Sequence, residues 1–263
     1  MSSEPVLNWY KLGVDVVAFS STRKGGVSRG NYSEFNINEY CGDEANAVVA
    51  NRKLLCQKLA IPDYCLIFPH QVHGVEVRQI DGDFTSMNFS ARKEMLEGID
   101  AVMTNQKGLC IGVSTADCIP VLLYDHRNHA CAAIHAGWRG TVARIVQKTI
   151  HLMVSSYHTQ PEELQAVIGP GISLENFEVG NEVYELFDKA GFDMSSIARR
   201  FERWHIDLWE CNRKQLIHSG VLADNIQVAG ICTFANTGEY FSARRLGINS
   251  GRIFTAIMMK DHL

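Results

Sequence analysis

Residues 101–157 read AVMTNQKGLC IGVSTADCIP VLLYDHRNHA CAAIHAGWRG TVARIVQKTI HLMVSSY. Four short apolar runs lie in the first part of this stretch, at 101–104, 109–114, 119–124 and 130–134. They are rich in Val, Ile, Leu and Ala and are broken by polar or glycine turns, which is the pattern of buried strands. From 141 to 157 the period changes: Val142, Ile145, Val146, Ile150 and Met153 recur on one face of a helix. A sheet at the centre of the chain, followed by a helix packed on it, is the reading from which the rest extends.

Outward from that core the same two patterns alternate. Strands are predicted at 14–19, 65–68, 75–80, 166–168, 226–229 and 253–258, and a turn with two glycines at Arg23-Lys24-Gly25-Gly26. A helix is predicted over 44–60, where Ala45, Val48, Leu55 and Leu59 keep helical spacing and Asp43 is placed to cap the start. Shorter helices are predicted over 181–190 and 208–219. No linker rich in Pro, Ser or Gly divides the chain, and no fixed-period repeat or low-complexity segment is present. The expectation is an α+β fold in one domain over residues 1–263.

The composition excludes several classes. A chain of 263 residues that is 46% hydrophobic is long and apolar enough to bury a core. The 25 Lys and Arg stand against 29 Asp and Glu, so there is no overall positive field to hold nucleic acid or an anionic membrane. No apolar run approaches the roughly 18 residues of a membrane-spanning helix. The N-terminal sequence lacks the basic region and apolar core of a signal peptide, which predicts a cytoplasmic protein. The 8 cysteines are scattered, contain no CxxC pair and are expected to be reduced. Trp138, Trp204 and Trp209 are expected to pack in the core.

Three polar stretches stand at the ends of the apolar runs: His70-Gln71-Val72-His73-Gly74, Thr115-Ala116-Asp117-Cys118 and His135-Ala136-Gly137-Trp138-Arg139-Gly140. Two histidines and a cysteine suit Zn²⁺ with an open fourth position, where the pKa of bound water falls to about 7. Spacing alone leaves the other reading open, in which Cys118 is a core thiol and His135 a hydrogen-bonded core histidine. The third stretch runs from a strand into a helix that Thr141 is placed to cap. Free N–H groups there, helped by Arg139, suit a phosphate, although a tight turn that needs glycine only for shape reads equally well.

The phrases Gln71-Val72-His73-Gly74, Thr115-Ala116-Asp117-Cys118-Ile119-Pro120-Val121-Leu122-Leu123 and His135-Ala136-Gly137-Trp138-Arg139-Gly140-Thr141 resemble the family known as YfiH or multicopper polyphenol oxidase (laccase) domain. That family includes bacterial purine nucleoside phosphorylases. The resemblance starts at Ser21-Thr22-Arg23-Lys24-Gly25-Gly26-Val27-Ser28, continues through Phe35-Asn36, Gly42-Asp43 and Asn51-Arg52, and ends at Phe241-Ser242, Arg244-Arg245 and Gly251-Arg252. It implies a fold of layered sheets and helices with the site in a cleft, and one catalytic metal, zinc, on His73, Cys118 and His135. His70 is expected to line the site rather than to bind metal. The chain departs from the family pattern at Asn176, where many members have a cysteine, and at Ala243, where an aromatic often precedes the paired arginines.

What the resemblance implies for function is phosphorolysis of purine nucleosides, with adenosine deamination and methylthioadenosine phosphorolysis. The partners are then purine nucleosides and phosphate. Asp117 is a candidate proton carrier, with a turn-capping carboxylate as the alternative. Arg139, with Arg52 or Arg244, is a candidate for holding phosphate, and Asn36 for contacting substrate. Three other readings stand beside this one. A copper oxidase is disfavoured because the ten histidines form no His-x-His pair, although copper is the alternative metal for a His₂Cys set. A metal-free hydrolase editing peptidoglycan precursors would use Cys118 activated by His135. A nucleoside-binding protein without turnover is the last.

Overall fold

The computed structural model describes residues 4–261. The central apolar runs divide between two sheets. Cys110–Thr115 joins a five-stranded sheet in the order Leu7–Tyr10, Val16–Ser21, Ile253–Met259, Cys110–Thr115, Leu66–Ile67. The next strands belong to a six-stranded sheet in the order Ile226–Val228, Leu164–Ile168, Ile119–Asp125, Ala130–Ala136, Ala101–Thr104, Val77–Ile80. Both sheets mix parallel and antiparallel pairs; Ile134 pairs with Val121 on one side and with Ala101 on the other.

Strand alternation explains how the sheets stack, because successive side chains point to opposite faces. In the six-stranded sheet, Val102, Leu122, Tyr124, Cys131 and Ala133 pack against Ile111, Val113, Ala18 and Ile257 of the five-stranded sheet. Their neighbours Ala101, Met103, Val121, Leu123, Ala132 and Ile134 face the other way, onto Val146, Ile150 and Met153 of the helix Ile145–Tyr157. The far face of the five-stranded sheet carries Phe19, Cys110, Phe254 and Ala256, covered by Leu55 of the helix Ala45–Leu59 together with Phe35 and Ile37. The result is helix, sheet, sheet, helix. Strands covered on both faces need apolar residues at every position, which is why the sequence shows runs rather than alternation.

Two expectations change. The helix foreseen over 141–157 is two helices, Trp138–Val142 and Ile145–Tyr157, separated by Arg144 in the left-handed region at φ 64°. Arg144 is held there by its guanidinium, which lies 3.6 Å from the Phe192 ring centre and donates to Ala190 O at 2.9 Å. The apolar period passes over the break because Val142 and Ile145 both still face the core. Thr141 is therefore not a cap. Gly137 starts the short helix, and the buried Thr141 hydroxyl takes a hydrogen bond from Asn212 Nδ2 at 3.2 Å. Likewise Glu44, not Asp43, is the N-cap of Ala45–Leu59; the Asp43 carboxylate accepts instead from Ser28 Oγ and Asn36 Nδ2.

A small antiparallel sheet of Glu178–Val179, Trp204–Ile206 and Ala198–Arg200 was not foreseen. Its strands are two or three residues long, too short for any period to appear. Among the described residues no helix is long and apolar enough to cross a membrane. The eight cysteines are all unpaired.

Candidate metal centre

Two chain segments pass from one large sheet to the other at the same end of the sandwich. The first runs from Leu66–Ile67 to Val77–Ile80 and carries His70 and His73; the second runs from Cys110–Thr115 to Ile119–Asp125 and carries Asp117 and Cys118. His135 stands near the end of Ala130–Ala136, on the face it shares with Cys131 and Ala133, and is 3% exposed. The ligand atoms of His73, Cys118 and His135 all lie within 4.8 Å of one another. They open onto a cavity of about 420 Å³.

Asp100, completely buried just before the strand Ala101–Thr104, organises the histidines. Its Oδ1 accepts from His135 Nδ1 at 2.7 Å and from the His73 N–H at 3.0 Å, and its Oδ2 accepts from the Gly74 and Val72 N–H groups at 2.7 and 3.3 Å. With Nδ1 donating to the carboxylate, Nε2 of His135 is the nitrogen turned to Cys118. The same bonds hold the backbone of His73 at φ 63°, a left-handed conformation that costs a residue with a Cβ about 1 kcal/mol or more. Gln71 fixes the segment from its other side: its amide donates to Ser114 O at 2.8 Å and accepts from Ser114 N–H at 2.7 Å, as an extra strand residue would.

The electrostatics follow from this packing. Burial would push the Cys118 thiol up, but the charge of His135 and hydrogen bonds from His135 and His73 outweigh it and bring the thiol down to about 6. Burial opposes the charge on His135, yet the Cys118 thiolate and Asp100 raise it to about 9. Asp100 is held below the usual carboxylate range: burial alone would raise it, and His135 with the Gly74 and Val72 N–H groups more than offsets that. A thiolate is thus available at neutral pH beside the imidazolium of His135.

This donor set fits a zinc-sized ion. Tetrahedral Zn²⁺ with bonds of about 2.0–2.3 Å needs donors roughly 3.3–3.8 Å apart, within small side-chain adjustments of the spacing here. Gly137 supports the same conclusion. A Cβ at that position would sit 3.1 Å from Cys118 Sγ and 3.1 Å from His73 Cδ2, pressing on two donors at once. Asp100 supplies the carboxylate that metal-binding histidines commonly require behind them.

The other residues singled out in the sequence lie elsewhere. Asp117, at φ 86°, turns its carboxylate away from the cavity and accepts from Thr233 Oγ1 at 2.8 Å and the Arg244 N–H at 2.7 Å, so it braces the turn that presents Cys118. Arg139 lies on the Trp138 ring, and its helix of five residues is too short to gather a helix dipole. Arg52 donates to Ile37 O and Glu39, and the Arg244 guanidinium donates to Glu178 O. None of the three lines the cavity. Asn36 is buried one step behind the wall, accepting from the Arg252 N–H at 3.1 Å and donating to Asn38 O.

The arginine that does line the cavity with the triad is Arg252, and Tyr40, Asn38 and His70 are also part of the wall. The sequence offers a signal for Asp100, a carboxylate directly before a strand whose first three residues are apolar. Arg252 stands in a stretch that carries the family resemblance, but nothing local marks its place in the site or that of Tyr40, because both reach it from loops remote in sequence.

The comparisons with known proteins agree with this architecture. The chain is 49% identical over 245 residues to a purine nucleoside phosphorylase of Bacteroides thetaiotaomicron, covering 92% of this chain and 90% of that protein. It is 41% identical over 257 residues to an adenosine deaminase from an unknown prokaryotic organism, covering 97% and 98%. Among solved structures, YlmD from Geobacillus stearothermophilus superposes with a TM-score of 0.88 at 27% identity over 96% of each chain. The description of the multi-copper polyphenol oxidoreductase laccase family matches residues 17–260, and the chain belongs to that family.

Proposed function

We propose that this chain is a zinc-dependent purine nucleoside phosphorylase that also deaminates adenosine and cleaves methylthioadenosine, working as one domain in the cytoplasm. The observation that carries the reading is the convergence of His73, Cys118 and His135 in a cavity of about 420 Å³, large enough for a nucleoside beside phosphate. The similarity to proteins named purine nucleoside phosphorylase and adenosine deaminase supports the substrate class.

His73, Cys118 and His135 would hold the metal, and when bound it supplies a Lewis acid at neutral pH. The remaining work falls to the chain. Asp100 holds His135 and the His73 backbone, so the donors are oriented before substrate arrives. Arg252 is the cavity's guanidinium and takes the phosphate role first expected of Arg52, Arg139 or Arg244. Its contacts to Ser250 O, Gly251 O and Ile248 O fix the plane of the group. Ile248 and Ala243 give the base and sugar an apolar wall, and the small Ala243 leaves room where many relatives are expected to carry an aromatic.

The test is product analysis of metal-quantified protein incubated with adenosine or inosine, with and without phosphate, beside Cys118→Ala. Phosphate-dependent release of base, absent in the variant, supports phosphorolysis. Inosine formed from adenosine without phosphate supports deamination. No turnover of either nucleoside by zinc-loaded protein overturns the reading.

One observation favours a second reading. A Cys118 thiol held at about 6 beside His135 is also the equipment of a cysteine hydrolase acting on peptidoglycan precursors. Hydrolysis that survives chelation would select it.

A further inference from the structure

The phosphorolysis reading leaves one chemical requirement unassigned. When phosphate attacks C1′ of the ribose, the glycosidic electron pair moves into the purine, and an acid at N7 is needed to keep that leaving group from departing as an anion. Neither the metal donors nor Arg252 supplies it, since an arginine does not give up its proton.

His70 has the geometry for the task. It lines the same cavity as the triad, and four contacts fix it there. Its backbone N–H donates to Leu96 O at 3.0 Å, and its carbonyl accepts from the Gly98 N–H at 3.0 Å. Its ring stacks on Tyr40 at 4.0 Å between centres, with 20° between the planes. Its Nδ1 lies 2.6 Å from Glu97 Oε1. Glu97 is not part of the cavity wall and engages Nδ1, which leaves Nε2 as the ring nitrogen free to serve the cavity. A carboxylate behind an imidazole, with the far nitrogen aimed at the reacting group, is a recurrent acid–base arrangement. The pair serves no other evident purpose: Glu97 is half exposed, and an exposed ion pair contributes about 1 kcal/mol at most to stability.

Resting on the phosphorolysis reading, we propose that His70 is the general acid that protonates the departing purine, and that Glu97 is the residue that positions it. The balance closes within the site. The C1′–N9 bond breaks, its electrons pass to the purine, and His70 Nε2 gives a proton to N7. The new C1′–O bond forms to monohydrogen phosphate, whose remaining proton returns to Nε2. The products are neutral base and the ribose 1-phosphate dianion, with no external acid consumed.

The experiment compares two substrates in zinc-loaded wild type, His70→Asn and Glu97→Gln. Inosine requires protonation of its base; 7-methylguanosine already carries a positive charge on the imidazole ring of its purine and leaves without it. The expected result for His70→Asn is a fall of about 10²-fold or more in kcat/KM for inosine. For 7-methylguanosine the change should stay within threefold, at unchanged zinc content. Glu97→Gln should show the same selective loss at smaller size, and it serves if His70→Asn does not fold. An equal fall on both substrates overturns the role of His70 while leaving phosphorolysis standing. A wild-type enzyme that cleaves neither substrate removes the phosphorolysis reading and the acid with it.

Discussion

Asp100 Oδ1 and His135 Nδ1 lie 2.7 Å apart in an environment with almost no solvent, and the same carboxylate holds the backbone of His73. One side chain thereby sets the orientation of two candidate metal ligands that are 62 residues apart in the chain (135 − 73). Replacing Asp100 with Asn keeps its shape but exchanges one acceptor for a donor that faces N–H groups. Zinc affinity should fall about 10- to 100-fold, measured by competition with a chromophoric chelator. The protein should also lose about 1–3 kcal/mol in urea unfolding, since a buried N–H is left without an acceptor.

Gly137 gives a separable effect. A Cβ there meets Cys118 Sγ and His73 Cδ2, while the backbone at φ −65° suits alanine. Gly137→Ala should therefore unfold at a Tm within a few degrees of wild type in the metal-free state, yet retain less zinc after dialysis. Paired calorimetry and elemental analysis would check this.

The Cys118 thiol, brought from about 9 to about 6, has a reactivity with a defined sign against pH. The thiolate is the nucleophile, and in metal-free protein it is present above about pH 6 and lost as pH falls through that value. Alkylation of Cys118 by iodoacetamide should be half-maximal near pH 6, whereas Cys110 and Cys131, both raised by complete burial, should stay unmodified in the folded protein. Peptide mapping after timed alkylation between pH 5 and 9 would follow each thiol.

A fourth expectation concerns the five-stranded sheet. Gly112 pairs with Ala256 in the register, and a Cβ at Gly112 would lie against the ring of Phe254, two residues along the same strand, and against Ala256 Cβ. Gly112→Ala should cost about 1–3 kcal/mol by overpacking. Phe254→Leu in the same chain should recover part of that loss, as chemical denaturation of the two variants would show.

Much of this was legible from residue order. The runs at 101–104, 119–124 and 130–134 became strands within two residues of the expected ends, because burial on both faces leaves no polar position to confuse the period. The break at Arg144 was hidden, since it is stabilised by Phe192 and Ala190, which are remote in sequence. The site divides in the same way. His73, Cys118 and His135 stand in motifs that can be quoted. Asp117 and Arg139 stand beside those motifs, and Arg52 and Arg244 stand in other stretches that carry the resemblance, but position in sequence does not say which way a side chain turns: Asp117 points to Thr233 and Arg244 instead. Tyr40 and Arg252 depend on loop closure, which no local period encodes.

Two of the connections between the large sheets, 68–76 and 116–118, each carry a candidate metal ligand, while the third stands on the inner face of one sheet. A metal held by the three would be a rivet driven through the seam of the sandwich. Sliding the sheets by even part of a residue would part the donors, so the seam's packing and the grip on the ion form one mechanical system. Conservative changes deep in the seam, at Val113 or Leu122, should then register as altered zinc release before they register as unfolding. Ion occupancy becomes a gauge of how tightly the protein's interior is closed.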